Sequence, residues 1–308
     1  MSLILSYIQD FFRNIDKWFL IFCAAFAALI IFFNYRYGIE TRWLYTIQNR
    51  LEKFYGFFIV YAIAFLVPWL FLLIKNRSLP NSGLFWFFLL TAPAIFALKV
   101  VFNSGSVAIQ ENITGVWGRY AAIVSSLPSK LIIVLIPLFL YWKLADQQQS
   151  FWGLTTQYLV WKPYIIMLLI MVPLIIFAST QSDFLHTYPK LRQIGFISPH
   201  TRFPWLTKLI YEISYGIDFV TIELFFRGFL VLAFIKYAGP EAILPMAVFY
   251  CSIHFGKPVF ECISSFFGGI LLGIVVYRTQ SVLGGLVVHL GIAWMMEVGG
   301  YLGNLWRK

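Results

Sequence analysis

Residues 54–74 read Phe54-Tyr-Gly-Phe-Phe-Ile-Val-Tyr-Ala-Ile-Ala-Phe-Leu-Val-Pro-Trp-Leu-Phe-Leu-Leu-Ile74, an uncharged run bounded by Lys53 and Lys75. A helix needs about 20 predominantly apolar residues to cross the hydrocarbon core of a bilayer. This run has that length. Comparable apolar stretches lie at about 18–33, 84–102, 131–143, 163–179, 207–236, 240–256, 259–277 and 281–303. The pattern predicts an all-α, polytopic transmembrane helical bundle of about eight to nine membrane helices.

Composition agrees. The chain is 60% hydrophobic and 12% charged, whereas soluble domains carry roughly 25% charged residues, so an ordinary soluble fold is excluded. The net charge of +10 does not point to nucleic acid, because the Lys and Arg residues are scattered among loops and form no single basic patch. That distribution suits anionic headgroups, so membrane lipids are expected partners. If all the stretches span, the basic loops 34–53 and 180–208 fall on one side, the cytoplasmic one. Cys23, Cys251 and Cys262 lie in apolar stretches without Cys-x-x-Cys spacing, which indicates neither a disulfide framework nor a zinc knuckle. The first seventeen residues mix acidic and basic groups and read as a lead into an uncleaved first helix.

The polar run Ala145-Asp-Gln-Gln-Gln-Ser150 divides the chain into N-terminal transmembrane helices at 1–155, of unassigned role, and a second region at 156–308. Lys99 is expected to snorkel from a helix end to the interface. Residues 180–204, with Pro189, Pro199 and Pro204, read as a long irregular connection, a solvent-exposed loop or a lid. Beyond it, Gly268-Gly269, Gly273, Gly284-Gly285, Gly291 and Gly299-Gly300 predict closely packed helices.

Chemistry concentrates in the final third. Glu223 and Arg227 are four residues apart, which on a helix puts them on one face, where the guanidinium can neutralise the carboxylate. His254 precedes Gly256 and Pro258, which should end its helix. His289 sits mid-helix among small residues. Each alone has a bland reading, as an internal ion pair or a hydrogen-bonded core histidine. Ionisable groups are expensive at membrane depth, however, and normally face a bundle interior or a wet cavity. One acid and two imidazoles on successive helices suffice to activate a water and stabilise an oxyanion, which makes hydrolysis the leading chemistry.

These residues resemble the CPBP family of intramembrane endopeptidases, which includes the type II CAAX prenyl endopeptidases and bacteriocin-processing, Abi-like proteins. The family's Glu-Glu-x-x-x-Arg, Phe-x-x-x-His and His-x-x-x-Asn motifs correspond to Ile222-Glu223-Leu-Phe-Phe-Arg227, Tyr250-Cys-Ser-Ile-His254 and His289-Leu-Gly-Ile-Ala293. The resemblance covers roughly residues 205–300 and implies that 156–308 forms an intramembrane protease core. It also implies that the first glutamate and the second-motif histidine hold the attacking water, while the third-motif histidine and asparagine stabilise the oxyanion. Two of those four positions differ here, being Ile222 and Ala293.

Asp218 lies four residues before Ile222, and Glu297 four residues after Ala293, so each acid stands one turn from a missing polar group. A shifted site of Glu223, His254, His289 and Glu297, with Asp218 as a subsidiary member, is therefore expected. In it Glu223 is the general base, His254 assists, His289 stabilises the oxyanion and Arg227 fixes Glu223. This chemistry requires no cofactor. A divalent metal, zinc above all, stays an alternative, although no His-Glu-x-x-His spacing supports it. Lys257 is expected at the headgroup level, and Glu261 in the first turn of the next helix, where the helix dipole favours it.

The expected activity is hydrolysis of a peptide bond in a membrane-associated or lipidated protein substrate, by an integral protein of the plasma (inner) membrane of a bacterium. The alternative, carried by Ile222 and Ala293, is a non-catalytic relative that binds a peptide, a lipidated tail or a membrane partner.

Overall fold

The computed structural model describes residues 2–76, 82–145, 147, 150–157 and 159–307. The helices, in chain order, are α1 (Ser2–Asn14), α2 (Lys17–Tyr37), α3 (Arg50–Asn76), α4 (Gly83–Val101), α5 (Ser104–Asn112), α6 (Gly115–Ala145), α7 (Trp161–Ala178), α8 (Ser182–Thr187), α9 (Pro204–Glu223), α10 (Ile235–Ala238), α11 (Ile243–Ser252), α12 (Val259–Thr279) and α13 (Leu283–Trp306). The described residues contain no strand. The expected all-α, polytopic class is borne out.

Among the described residues, seven helical stretches are long and apolar enough to cross a membrane, including Lys17–Tyr37, Arg50–Lys75 and Gly115–Ala145. The apolar stretches at 207–236 and 240–256 take other forms. α9 runs into a π-helical segment, Leu224–Leu232, and α11 has ten residues, all buried. Gly239, at φ 54°, and Pro240 separate the two, since Pro cannot continue a helix through its missing N–H.

Packing divides the chain into two compact units, each drawn from three stretches of sequence. The first comprises 1–101, 136–159 and 223–285. Its core is aromatic: Phe234 packs on Trp69 of α3 at 5.2 Å and on Phe85 of α4 at 5.7 Å between ring centroids. Phe229 meets Phe88 edge to face at 5.3 Å. Large rings bury much apolar area each, and edge-to-face pairs add to that burial. Glycines let α12 approach α11, as a Cβ on Gly269 would stand 3.3 Å from the Ala247 backbone. Lys99 does not reach an interface within this unit. It is 5% exposed, with its ammonium 4.9 Å from the Phe96 centroid, where the ring face offers partial compensation for lost water.

The second unit comprises 102–135, 160–222 and 286–308. Here the expected irregular connection is ordered. α8 is followed by a 3₁₀ helix, Lys190–His200, which buries Ile194 and Ile197. Arg192 ties the two together by donating to the Leu185 and Tyr188 carbonyls, both at 2.7 Å. Small residues on α13 admit this segment, since a Cβ on Gly300 would lie 2.6 Å from the Tyr188 backbone.

At the end of α2 the chain turns sharply. Gly38 takes the left-handed conformation at φ 65° and its amide bonds the Asn34 carbonyl at 2.7 Å, a C-cap for which glycine is favoured. The following π-helical turn, Ile39–Trp43, buries Glu40 to 5% exposure. Burial pushes the Glu40 carboxyl up to about 7, opposed by hydrogen bonds from Tyr45 and Gly256 and by the charge of Lys257. The folded chain thus holds this proton more tightly than the unfolded chain. The group's contribution to stability is present at low pH and weakens as pH rises from the usual carboxylate range through about 7. Glu40→Gln should remove that decline, so its melting temperature in detergent should gain on that of the unsubstituted chain as pH rises across this window. Parallel pH profiles of melting would contradict this.

Candidate active site

α9 carries Glu223 at its last residue, and Arg227 follows inside the π-helical segment. The four-residue spacing brings the Arg227 Nη1 to 3.1 Å from the Glu223 Oε1. Both side chains are essentially out of contact with solvent, at 0% and 1% exposed. A buried pair repays its desolvation only when each charge has its partner in place. The π-helical turn is wider than an α turn, and such segments recur at functional sites.

Two neighbours define the surroundings of this pair. A Cβ on Gly285, in the first turn of α13, would sit 2.6 Å from the Glu223 Oε2. Glycine is therefore what lets the α13 backbone come up against the carboxylate. On the guanidinium side, the Arg227 Cζ lies 3.9 Å from the centroid of the Tyr250 ring, a cation–π contact in a desolvated place.

Tyr250 is also the link to His254. α11 ends at Ser252, earlier than the end expected at Gly256 and Pro258, so that His254 lies in the turn before α12 and not on the helix. Its ring meets Tyr250 edge to face at 4.7 Å, and its Nδ1 stands 2.9 Å from the Tyr250 carbonyl oxygen. A carbonyl only accepts, so Nδ1 carries the hydrogen in this contact and the lone pair of the neutral ring belongs to Nε2. Glu223, Arg227, Tyr250 and His254 thus form one contiguous group within the first unit. Tyr250 went unnoticed in the sequence except as a motif position, though its four-residue spacing from His254 was the available signal.

His289 and Glu297 belong to the second unit. The half-buried His289 meets Phe219 of α9 edge to face at 4.6 Å. Asp218, half-buried, precedes that phenylalanine, one turn before Ile222. Glu297 has a specific engagement. Its two carboxylate oxygens accept the backbone N–H groups of Lys190 and Leu191 at 2.7 and 3.0 Å, at the start of the 3₁₀ helix. That is how a carboxylate satisfies the amides that open a helix. Lys257 pairs with Glu261 at 3.4 Å. Among the described residues no group of three His, Cys, Asp or Glu side chains is placed to hold a metal ion.

The pair predicts a double-substitution result. Arg227→Leu alone leaves Glu223 buried without its counter-charge and should destabilise the protein by about 3–5 kcal/mol. The Glu223→Leu/Arg227→Leu double variant should recover most of that loss, as read by the melting temperature in detergent. Additive losses would show that the two charges do not depend on each other.

Residues 204–295 match the family described as Type II CAAX prenyl endopeptidase Rce1-like. This bears out the resemblance to the CPBP family over that stretch, an Rce1-like region within a polytopic helical membrane protein. No curated protein and no solved structure matches the chain.

Proposed function

We propose that this protein is an intramembrane peptidase that hydrolyses a peptide bond of a membrane-associated or lipidated protein substrate by water activated at Glu223 and His254. The observation that carries the reading is the buried Glu223 carboxylate, fixed by Arg227, approached by the bare backbone of Gly285, and joined through Tyr250 to an imidazole whose lone pair is on Nε2. The setting is the plasma membrane of a bacterium, with lipid and the protein substrate as partners and no cofactor required.

In this reaction Glu223 takes a proton from water as the oxygen attacks the scissile carbonyl, and His254 accepts a hydrogen bond from the same water. The proton held by Glu223 then passes to the departing nitrogen as the C–N bond breaks, which releases an amine and a carboxylic acid and restores the carboxylate. Arg227 holds Glu223 in its orientation. Glu297 is committed to the backbone amides of Lys190 and Leu191 and does not take part in proton transfer.

Peptide cleavage by the purified full-length chain tests this directly. Glu223→Gln and His254→Ala should each lower kcat by about 100-fold or more. His254→Ala is the safer variant for folding because it leaves the ion pair intact. Unchanged turnover in folded His254→Ala would reject the assignment. Undiminished binding of a peptide that neither the unsubstituted chain nor any variant cleaves would favour a non-catalytic binding protein.

The close approach at Gly285 gives a second, independent test. Gly285→Ala keeps every ionisable group but must push the Glu223 carboxylate aside, and a displacement of about 1 Å can lower kcat by about 100-fold. Activity retained in this variant would mean that the position of Glu223 does not matter to turnover.

A further inference from the structure

The Rce1-like match begins at residue 204, so the N-terminal helices have no part in the chemistry so far. The turn that carries His254 is nevertheless held from that side. Where α11 ends at Ser252, the chain leaves helical pairing for several residues, and polar groups of the 255–257 turn need partners from elsewhere. Asn34, in the last turn of α2 and 2% exposed, donates from Nδ2 to the Phe255 carbonyl at 2.9 Å. Its Oδ1 accepts the Glu40 amide at 3.1 Å. The Tyr35 hydroxyl donates to the Lys257 carbonyl at 2.6 Å. The Glu40 carboxyl faces the Gly256 amide and the Tyr45 hydroxyl. A Cβ on Gly256 would lie 2.7 Å from the Glu40 Oε1, so that glycine is what allows the acid so close.

We propose that Glu40, with Asn34 and Tyr35, is a positioning residue for His254: it fixes the 254–257 turn so that the imidazole presents Nε2 to the reacting water. The inference rests on the reading of His254 as part of the water-activating pair. The imidazole is then held at two points, with its Nδ1 on the Tyr250 carbonyl of α11 and its backbone turn on α2 and the 39–43 turn.

The choice of an acid is informative. An apolar side chain could cover a turn at less cost than a buried carboxyl, and ionisable groups with displaced titration concentrate at functional sites. The groups that face Glu40 are Tyr45 and Lys257, with Tyr61 of α3 and Cys262 of α12 further off and Glu261 paired to Lys257. As Glu40 loses its proton near pH 7, its bond to the Gly256 amide becomes charge-assisted and stronger. The turn should tighten and turnover should rise with pH through that range.

The test uses the purified full-length chain with Glu40→Gln and Glu40→Leu. Both variants should lower kcat by about tenfold while leaving KM unchanged, and Glu40→Gln should flatten the rise of kcat with pH near neutrality. A readout that needs no peptidase activity accompanies it: the rate at which diethyl pyrocarbonate modifies His254, followed by mass spectrometry across pH. His186 and His200 serve as internal controls. In both variants the His254 rate should depart from that of the unsubstituted chain while the control rates do not. If folded Glu40 variants keep the kcat, its pH profile and the His254 labelling rate of the unsubstituted chain, the inference is overturned even where His254→Ala abolishes cleavage. If the unsubstituted chain cleaves nothing but His254 labelling still responds to Glu40, the proposed function fails while the positioning contact stands.

Discussion

The buried pair of Glu223 and Arg227 is the constraint on which the first unit is organised. Two charges removed from water leave little tolerance in what surrounds them, because either one alone would be a large penalty. The surroundings comply. Arg227 lies over the Tyr250 ring, the backbone at Gly285 closes on the carboxylate, and all nine residues of the π-helical segment are buried. The same aromatic that faces the guanidinium anchors the Nδ1 of His254 through its carbonyl. One electrostatic requirement at the end of α9 is thus carried, through a single tyrosine, to the imidazole at the end of α11.

The acids of this chain illustrate how identical chemistry takes different roles by placement. Glu223 is paired with a cation inside the protein. Glu297 is committed to two backbone amides that open a 3₁₀ helix. Glu40 is buried against the turn at Gly256, facing Tyr45 and the charge of Lys257. A carboxylate with a counter-charge is suited to be held in place for proton transfer, one that accepts two amides is suited to hold a loop, and one buried beside a glycine turn is suited to respond to pH. The departures Ile222 and Ala293 acquire meaning in this context. They remove polar groups from two motif positions and place more of the proposed chemistry on Glu223 and His254.

The N-terminal helices are best understood through the turn they support. Asn34 and Tyr35 satisfy carbonyls of the turn that follows α11, and Glu40 faces its Gly256 amide. A helix that stops leaves the polar groups of the following turn without helical partners, and here the compensation comes from a neighbouring element. Here that element is more than 200 positions away in sequence, since the Asn34 to Phe255 bond spans 221 residues.

By itself the sequence determined the membrane class, because runs such as 54–74 are apolar at the length of a bilayer and no other solvent suits them. It determined that Glu223 and Arg227 would meet, because a four-residue spacing is a local property of a helix. It also indicated a helix end at Gly256 and Pro258, because they forbid continuation, although α11 stops earlier, at Ser252, and leaves His254 in the turn. It marked the Rce1-like region through the order of three short motifs. Only the tertiary structure decided that Glu297, one turn from a missing asparagine, gives its oxygens to the amides of Lys190 and Leu191, and that residues 182–200 form ordered helical turns. It alone decided that Lys99 is buried against Phe96, and that Glu40 reaches the His254 turn. The physical reason is the range of the interactions. Hydrophobic length, helical spacing and helix breaking act within one or two turns of chain. The partner that satisfies a buried amide or carboxylate is fixed by how distant helices pack, and no local pattern records it.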